Sequence, residues 1–212
     1  MSTWRSHSHP VDYQGGRMHI PTTPTPVQRA RLHRPWSSAD VVAVDAAALE
    51  AVRQRCQALL AGLGRGSYVR GWLPEATDGE LSACLARCCA QLWVTPAGGD
   101  AAVRIGMRCA HLPNVAIDVS GAARAAQGTF DLIVVSGLDT RARPADVIEA
   151  ARSLAPALAM RGELVAVHER RPRHDGALHG DAVHHLLLEH LPLEWRGGER
   201  DPSCRLDRWV RA

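Results

Sequence analysis

The sequence contains no lysine, so all 25 of its Lys+Arg residues are arginines. These arginines are scattered along 212 residues, and the formal net charge is only +3. A small, dispersed charge gives no electrostatic footprint for DNA or RNA, so we expect no nucleic-acid partner. The sequence also lacks a long apolar run and an apolar N-terminal segment. Their absence predicts a cytoplasmic protein with no membrane span and no signal peptide.

Cysteine is present, but it lacks the spacing of a metal site. The six cysteines lie at positions 56, 84, 88, 89, 109 and 204. A zinc site needs a second ligand pair at finger-like spacing, and no such pair follows the group at 84–89. We therefore expect no metal ion, and we expect small buried thiols of the kind found in a reducing cytoplasm.

Residues 1–36 differ from the rest of the chain in composition. This segment is rich in His, Pro, Thr and Gly, and Pro21, Pro24 and Pro26 interrupt any periodic pattern. Such a composition cannot bury enough apolar surface to fold alone. We predict a disordered or extended N-terminal arm over 1–36 and one folded domain over 37–212.

From residue 45 onwards, strand-like and helix-like segments alternate. F-D-L-I-V-V-S at 130–136, for example, is a nearly continuous apolar run, which is typical of a central parallel strand. The predicted strands cover 68–73, 91–95, 115–119, 130–136, 163–168, 193–196 and 204–210. The predicted helices cover 45–63, 79–89, 96–110, 144–160 and 180–190. This order predicts an α/β fold with a doubly wound, mostly parallel seven-stranded sheet and a C-terminal antiparallel hairpin.

Ligands of doubly wound sheets bind outside the carboxyl ends of the strands. In this chain the relevant predicted ends are Leu73, Thr95, Val119, Ser136 and His168. The first strand is followed by a predicted turn over 74–79 and then by a helix. A strand, turn and helix in this order form a common nucleotide-binding arrangement, so we expect a ligand there.

Several stretches carry a family resemblance through their order and spacing. They include Y-V-R-G-W-L-P at 68–74, G-E-L-S-A-C-L-A-R-C at 79–88, R-G-E-L-V-A-V-H at 161–168 and C-R-L-D-R-W at 204–209. Over residues 45–211 the chain resembles class I S-adenosylmethionine-dependent methyltransferases. More narrowly, it resembles the nodulation protein S (NodS-like) family, whose founding members N-methylate an amino-sugar oligosaccharide. The resemblance implies a Rossmann-like fold, S-adenosylmethionine as cofactor, and methyl transfer to nitrogen or oxygen of a sugar or another small metabolite.

The resemblance also implies a set of cofactor-binding positions at the strand ends. These are Glu75, Ala76, Thr77, Asp78, Gly79, Thr95, Asp118 and Ser136. The chain departs from the family pattern at several of the strand ends. Leu73 and Glu75 replace the acidic residue and the first glycine of the first motif, and Thr95 replaces the acidic residue that holds the ribose. Glu75 adds bulk and negative charge near the cofactor's carboxylate, and Thr95 offers only an uncharged hydrogen bond.

The candidate catalytic residues are His168, Asp181 and His184. His168 ends the fifth predicted strand, and an imidazole titrates near neutral pH, as a general base should. Asp181 and His184 are three residues apart at the start of a predicted helix. Either Asp181 caps the helix and pairs with His184, or these residues take part in proton transfer.

More than one function is compatible with the sequence. The first is an enzyme that methylates a small molecule, mainly through proximity and orientation, with His168 or Asp181 accepting a proton. The second is an inactive methyltransferase-fold protein that binds or regulates a partner protein. This interpretation is based on the departures from the family pattern, which cluster at the strand ends, whereas positions elsewhere in the fold still match the family. A different nucleotide ligand in a remodelled pocket is a third interpretation.

Overall fold

The seven predicted strands form one sheet, and helices cover both of its faces. The structure is a computed structural model that describes residues 46–77, 79–121, 123, 128–138, 143–170, 176 and 178–212. The predicted arm over 1–36 and the candidate Asp78 lie outside these residues. The strands are β1 (Tyr68–Ala76), β2 (Cys89–Pro96), β3 (Val115–Ile117), β4 (Phe130–Val135), β5 (Leu158–Glu169), β6 (Glu194–Arg200) and β7 (Cys204–Val210). The helices described are α1 (Ala46–Gly62), α2 (Gly79–Leu85), α3 (Gly99–Cys109), α4 (Pro144–Leu154) and α5 (Gly180–His190).

The order of strands across the sheet is β3-β2-β1-β4-β5-β7-β6. Strands β1 to β5 pair in parallel, whereas β7 runs antiparallel to both β5 and β6. The chain therefore moves outward from β1 to β3, returns to the centre at β4 and continues to the opposite edge. This order confirms the predicted doubly wound sheet and its antiparallel hairpin, and the direction of winding changes between β1 and β4.

The central strand β4 separates two hydrophobic layers. Leu132 and Val134 are buried in the layer formed with α1, α2 and α3. Ile133 and Val135 are buried in the layer formed with α4 and α5. Successive side chains of a strand point to opposite faces, so a strand covered on both faces requires the continuous apolar sequence found here.

The first strand and the helix that follows it differ in length from the prediction. β1 continues to Ala76, so the turn after it is shorter than expected. α2 ends at Leu85 instead of 89, and Cys89 already begins β2. The side-chain amide of Asn114 donates to the carbonyl oxygens of Ala86 (2.7 Å) and Cys89 (2.9 Å). These bonds satisfy carbonyls near the end of α2 and so explain why the helix can stop there.

The border between α4 and β5 also differs from the prediction. The helix predicted over 144–160 ends at Leu154 and passes into a short 3-10 turn, Ala155–Ala157. Pro156 in this turn has no N–H with which to continue an α-helical ladder. β5 then begins at Leu158, so it includes the last residues of the predicted helix and the pair Arg161–Gly162 that directly follows it. Arg161 takes a left-handed conformation there, with φ of 59°.

Two smaller differences concern α3 and the hairpin. α3 begins at Gly99 instead of 96, because Pro96 is still part of β2. β6 covers Glu194–Arg200, so Gly197 and Gly198, which follow the strand predicted over 193–196, lie inside it. Among the helices of the described part of the chain, none is long and apolar enough to cross a membrane.

Candidate functional site

The carboxyl ends of β1 and β4 meet where the direction of winding changes. Glu75, near the end of β1, has a left-handed backbone with φ of 52°. Gly137 follows β4, and a Cβ atom on it would lie 2.8 Å from the carbonyl oxygen of Glu75 and 3.3 Å from its Cβ. Glycine is therefore required at 137 for the two segments to approach so closely. We call the space bounded by Glu75 and Gly137 the switch-point crevice.

The turn that follows β1 is held in place by α3. Arg104 donates from Nη2 to the carbonyl oxygen of Thr77 at 3.0 Å. Gly79 begins α2, and a Cβ atom on it would lie only 2.4 Å from the Cβ of Arg108. Arg108 in turn pairs with Glu80 at 2.7 Å. The turn is thus packed tightly against α3.

The predicted cofactor residues closest to the crevice are Ala76 and Ser136. Ala76 is buried at the end of β1, and its carbonyl oxygen accepts from the backbone N–H of Ala97 at 2.9 Å. Ser136 is buried directly after β4. The structure therefore brings the predicted residues of the first motif and Ser136 to neighbouring strand ends.

Thr95, the residue at the predicted ribose position, is bonded within the protein. Its Oγ1 accepts a hydrogen bond of 3.0 Å from the indole Nε1 of Trp72. Trp72 is almost completely buried, so its N–H needs an internal acceptor. The hydroxyl of Thr95 therefore already has a structural role at the end of β2.

Asp118, after β3, also has a structural role. Its Oδ1 accepts from the backbone N–H of Ser120 (3.1 Å) and from the hydroxyl of Ser120 (2.7 Å). Its Oδ2 accepts from the N–H of Ala123 at 2.8 Å. The side chain is buried and organises the segment that follows β3.

His168 and His184 form a buried chain of hydrogen bonds that ends at Asp207. Nδ1 of His168 lies 3.1 Å from Nε2 of His184, and Nδ1 of His184 lies 2.6 Å from Oδ2 of Asp207. Both imidazoles are fully buried, between β5, α5 and β7. Burial lowers the pKa of His184, and the hydrogen bond to Asp207 offsets this only in part. Burial raises the pKa of Asp207, but the hydrogen bonds from His184 and Trp195 and the charge of Arg205 together outweigh it, so the net shift is downward.

Asp181 does not form the expected hydrogen bond with His184. Oδ2 of Asp181 accepts from Arg170 at 3.1 Å and from Arg200 at 3.0 Å. These two arginines, with Arg205 nearby, lower the pKa of Asp181 despite the opposing effect of its partial burial. A carboxylate held by arginines in this way is a poor proton acceptor, because protonation would break its ion pairs.

Sequence reasoning missed several residues of this region. Asp207 could have been suspected, because an aspartate in the middle of the predicted strand over 204–210 must find a partner if it is buried. Trp72 and Gly137 gave no comparable signal, because their contacts depend on how β1 lies against β2 and β4.

A small cavity lies beside the crevice, between the strand ends and α4. Its volume is about 10 Å³, and its lining residues are Pro74, Glu75, Val135, Leu138, Ala150, Ser153 and Leu154. A space of this size holds about one water molecule. This cavity is therefore too small to hold a nucleoside. Among the described residues, no group of three or more His, Cys, Asp or Glu side chains could hold a metal ion.

Known structures share this architecture. A Pseudomonas syringae protein assigned as a methyltransferase superimposes with a TM-score of 0.64 and 31% identity, over 75% of this chain and 97% of that protein. The N-methyltransferase NodS of Bradyrhizobium japonicum WM9 has a TM-score of 0.62 and 21% identity, over 77% and 95%. Its complex with S-adenosyl-L-homocysteine has a TM-score of 0.63 and 19% identity, over 87% and 96%. No protein-family model and no curated protein matches the chain.

The strand order and the position of the crevice define the class of protein as an S-adenosylmethionine-dependent methyltransferase fold. Because the Pseudomonas protein is 31% identical over nearly its whole length, the chain belongs to the same methyltransferase family. The likeness to NodS, at 19–21% identity, shows the fold alone.

Among the described residues, the backbone of the crevice suits S-adenosylmethionine better than the side chains do. The left-handed conformation at Glu75 and the close approach at Gly137 provide the backbone that a glycine-containing motif would provide. The polar side chains at the ends of β2 and β3, in contrast, already bond to Trp72, Ser120 and Ala123. A cofactor here would be held mainly by the backbone of the turn after β1.

Proposed function

We propose that this protein is an S-adenosylmethionine-dependent N-methyltransferase of small molecules, similar to NodS in the class of reaction, with a weak hold on its cofactor. The observation that carries the proposal is the backbone of Glu75. A left-handed conformation costs a residue other than glycine about 1–2 kcal/mol. Such outliers persist where the surrounding structure imposes them, often at binding sites. Glu75 thus has a conformation that glycine adopts more readily, at the position where the resemblance places a glycine.

The cofactor, when bound, supplies an electrophilic methyl group. The backbone of Ala76, Thr77 and Gly79 would hold it on the β1 side, and Ser136 and Gly137 would bound it on the β4 side. The contribution of the chain is then to position the two reactants and exclude water.

The state of the candidate bases favours nitrogen over oxygen as the methyl acceptor. His168 and His184 are fully buried and bonded to each other, and Asp181 is bonded to arginines. None of the three is an exposed proton acceptor. A neutral amine already carries the lone pair that attacks the methyl group, whereas a hydroxyl needs a base in the transition state. We therefore propose an amine, such as that of an amino sugar, as the acceptor.

Calorimetric titration of the whole chain with S-adenosylmethionine tests this proposal. We expect binding in the micromolar to millimolar range, because the turn is present but the charged ribose contact is not. The titration is done at two temperatures, because a binding enthalpy that is close to zero at one temperature would give no signal there. No detectable heat at millimolar ligand at either temperature would contradict the proposal.

A second candidate function is a catalytically inactive methyltransferase-fold protein that binds a partner protein. The observation that favours it is the internal bonding of Thr95 and Asp118. A folded chain that fails to bind S-adenosylmethionine would support this candidate. For either function we propose a cytoplasmic location, which agrees with six free thiols, and neither a nucleic-acid nor a membrane partner.

A further inference from the structure

Two cysteine thiols lie next to each other on neighbouring helices. Cys56 belongs to α1, and Cys84 belongs to the last turn of α2. The thiol of Cys84 lies 3.7 Å from the carbonyl oxygen of Cys56 and also forms a hydrogen bond with the side chain of Cys56. Both residues are half-buried, and neither takes part in a disulfide bond. The two sulfur atoms are therefore neighbours, and a small solute can reach them.

The other cysteines are less suited to form a disulfide bond. Cys89, Cys109 and Cys204 are buried. Cys88 is half-buried, but it directly precedes Cys89 in the chain. Consecutive Cα atoms are about 3.8 Å apart, whereas the Cα atoms of a disulfide bond are usually about 4.4–6.8 Å apart. Cys56 and Cys84, on separate helices, do not have this restriction.

The contact between the two thiols favours only one negative charge in the pair. The hydrogen bond with Cys56, burial and the charge of an ionised Cys56 raise the pKa of Cys84 above its usual range. Cys84 therefore keeps its proton when Cys56 ionises. A thiolate beside a protonated thiol is an arrangement in which one sulfur reacts with an oxidant and the other then reacts with the oxidised sulfur.

We infer that Cys56 and Cys84 form a thiol-oxidation site, at which hydrogen peroxide converts the two thiols into a disulfide bond between α1 and α2. Reaction of Cys56 with the peroxide gives a sulfenic acid and one water molecule. The sulfur of Cys84 then attacks the sulfur of the sulfenic acid, and a second water molecule leaves with the proton of Cys84. Two S–H bonds break and one S–S bond forms, while the peroxide accepts the two electrons and two protons. The inference is independent of the proposed function.

The disulfide bond would attach α1 covalently to the rest of the domain. In the reduced protein, the contacts of α1 include the completely buried Leu59 and an ion pair of 3.0 Å between Arg55 and Glu169. A covalent link between residues 28 positions apart removes conformational freedom mainly from the unfolded chain. The oxidised protein should therefore unfold at a temperature about 5–10 °C higher than the reduced protein.

The test is oxidation of the reduced full chain with equimolar hydrogen peroxide, followed by alkylation of the remaining thiols and digestion with trypsin without reductant. Cleavage after arginine places Cys56 in the peptide 56–65, Cys84 in 71–87, and Cys88 with Cys89 in 88–104. We expect mass spectrometry to show an intact mass lower by about 2 Da, from the loss of two hydrogens, and peptide 56–65 linked to 71–87. Dithiothreitol should reverse both changes. Thermal unfolding of the oxidised and reduced forms measures the stabilisation.

Two variants distinguish this pair from its neighbours, and each is compared with its own reduced form. Cys56→Ser should lose both the link and the rise in unfolding temperature. The control Cys88→Ser removes another half-buried thiol close to Cys84 and should keep both. The inference would be overturned by a link from Cys84 to Cys88 or Cys89, by sulfinic or sulfonic acid without a link, by disulfide-linked dimers, or by a folded wild type whose thiols stay reduced. An unchanged unfolding temperature in the linked protein would overturn the stabilising role.

Discussion

At the scale of single residues, the substitution Glu75→Gly tests both the backbone conformation of Glu75 and the effect of its side chain. Glu75→Gly relieves a left-handed conformation worth about 1–2 kcal/mol but adds about 0.5–1 kcal/mol of backbone entropy to the unfolded chain. We therefore expect the free energy of unfolding to rise by no more than about 1.5 kcal/mol. Because bulk and negative charge leave the crevice, the affinity for S-adenosylhomocysteine should increase. Urea unfolding and calorimetric titration measure the two effects.

A matched control for this substitution is Arg161→Gly. Arg161 also has a left-handed backbone, with φ of 59°, but it lies in the first part of β5, away from the crevice. Its replacement should change stability by a similar amount and leave ligand affinity unchanged. A loss of several kcal/mol in Glu75→Gly alone, or a lower affinity, would mean that the side chain of Glu75 supports the site.

Some residues of the candidate site could be recognised from the sequence, but their hydrogen-bond partners could not. Glu75 and Thr95 could be recognised as departures because they follow predicted strands, where the expected chemistry is known. The hydrogen bond from Trp72 to Thr95 could not be predicted, because it depends on the register between β1 and β2. The same holds for His184, whose partner is Asp207 on another strand and not the nearby Asp181.

At the scale of elements, the chain of His168, His184 and Asp207 joins β5, α5 and β7. The folded pKa of His184 lies below the usual value of about 6.5, so the unfolded chain takes up the proton first. We therefore expect the free energy of unfolding to fall as the pH drops from about 7 through 6.5, until it reaches the lower pKa of the folded state. Asp207, whose folded pKa is also depressed, loses its contribution at still lower pH.

Asp207→Asn should destabilise the fold by about 2 kcal/mol at neutral pH, because it removes the charged acceptor of a buried hydrogen bond. Denaturant unfolding at several pH values measures both the substitution and the pH dependence. Glu189→Gln, which removes an exposed carboxylate from α5, is the control and should cost less than about 0.5 kcal/mol. Stability that does not change between pH 7 and 5 would contradict the shifted pKa of His184.

Element boundaries were harder to predict than element types. α5 has the predicted limits, 180–190, because a glycine begins it and its apolar spacing is regular. The prediction for α4 is too long because it runs past Pro156, where the helix ends, into Leu158–Met160, an apolar segment that suits a helix as well as a strand. Only the tertiary pairing of Leu158 with Phe130 and of Glu163 with Leu132 makes it the beginning of β5.

At the scale of the whole molecule, the sequence was sufficient to predict the architecture. Few topologies are compatible with alternating strands and helices, one continuous apolar strand and a final hairpin. The protein adopts one of these, with the strand order β3-β2-β1-β4-β5-β7-β6. From the general rule for doubly wound sheets, we expect a ligand to bind at the ends of β1 and β4. We expect the strength of binding to depend on a few side chains there.

The most direct test is therefore to locate the cofactor on the molecule. Two-dimensional NMR of the isotope-labelled full chain, titrated with S-adenosylhomocysteine, reports each amide and suits weak binding. We predict that the largest shifts occur at Ala76, Thr77 and Gly137, which border the switch-point crevice, and that distant amides such as Gly197 do not move. Shifts elsewhere on the molecule, or none at saturating ligand, would contradict a cofactor site formed by the ends of β1 and β4.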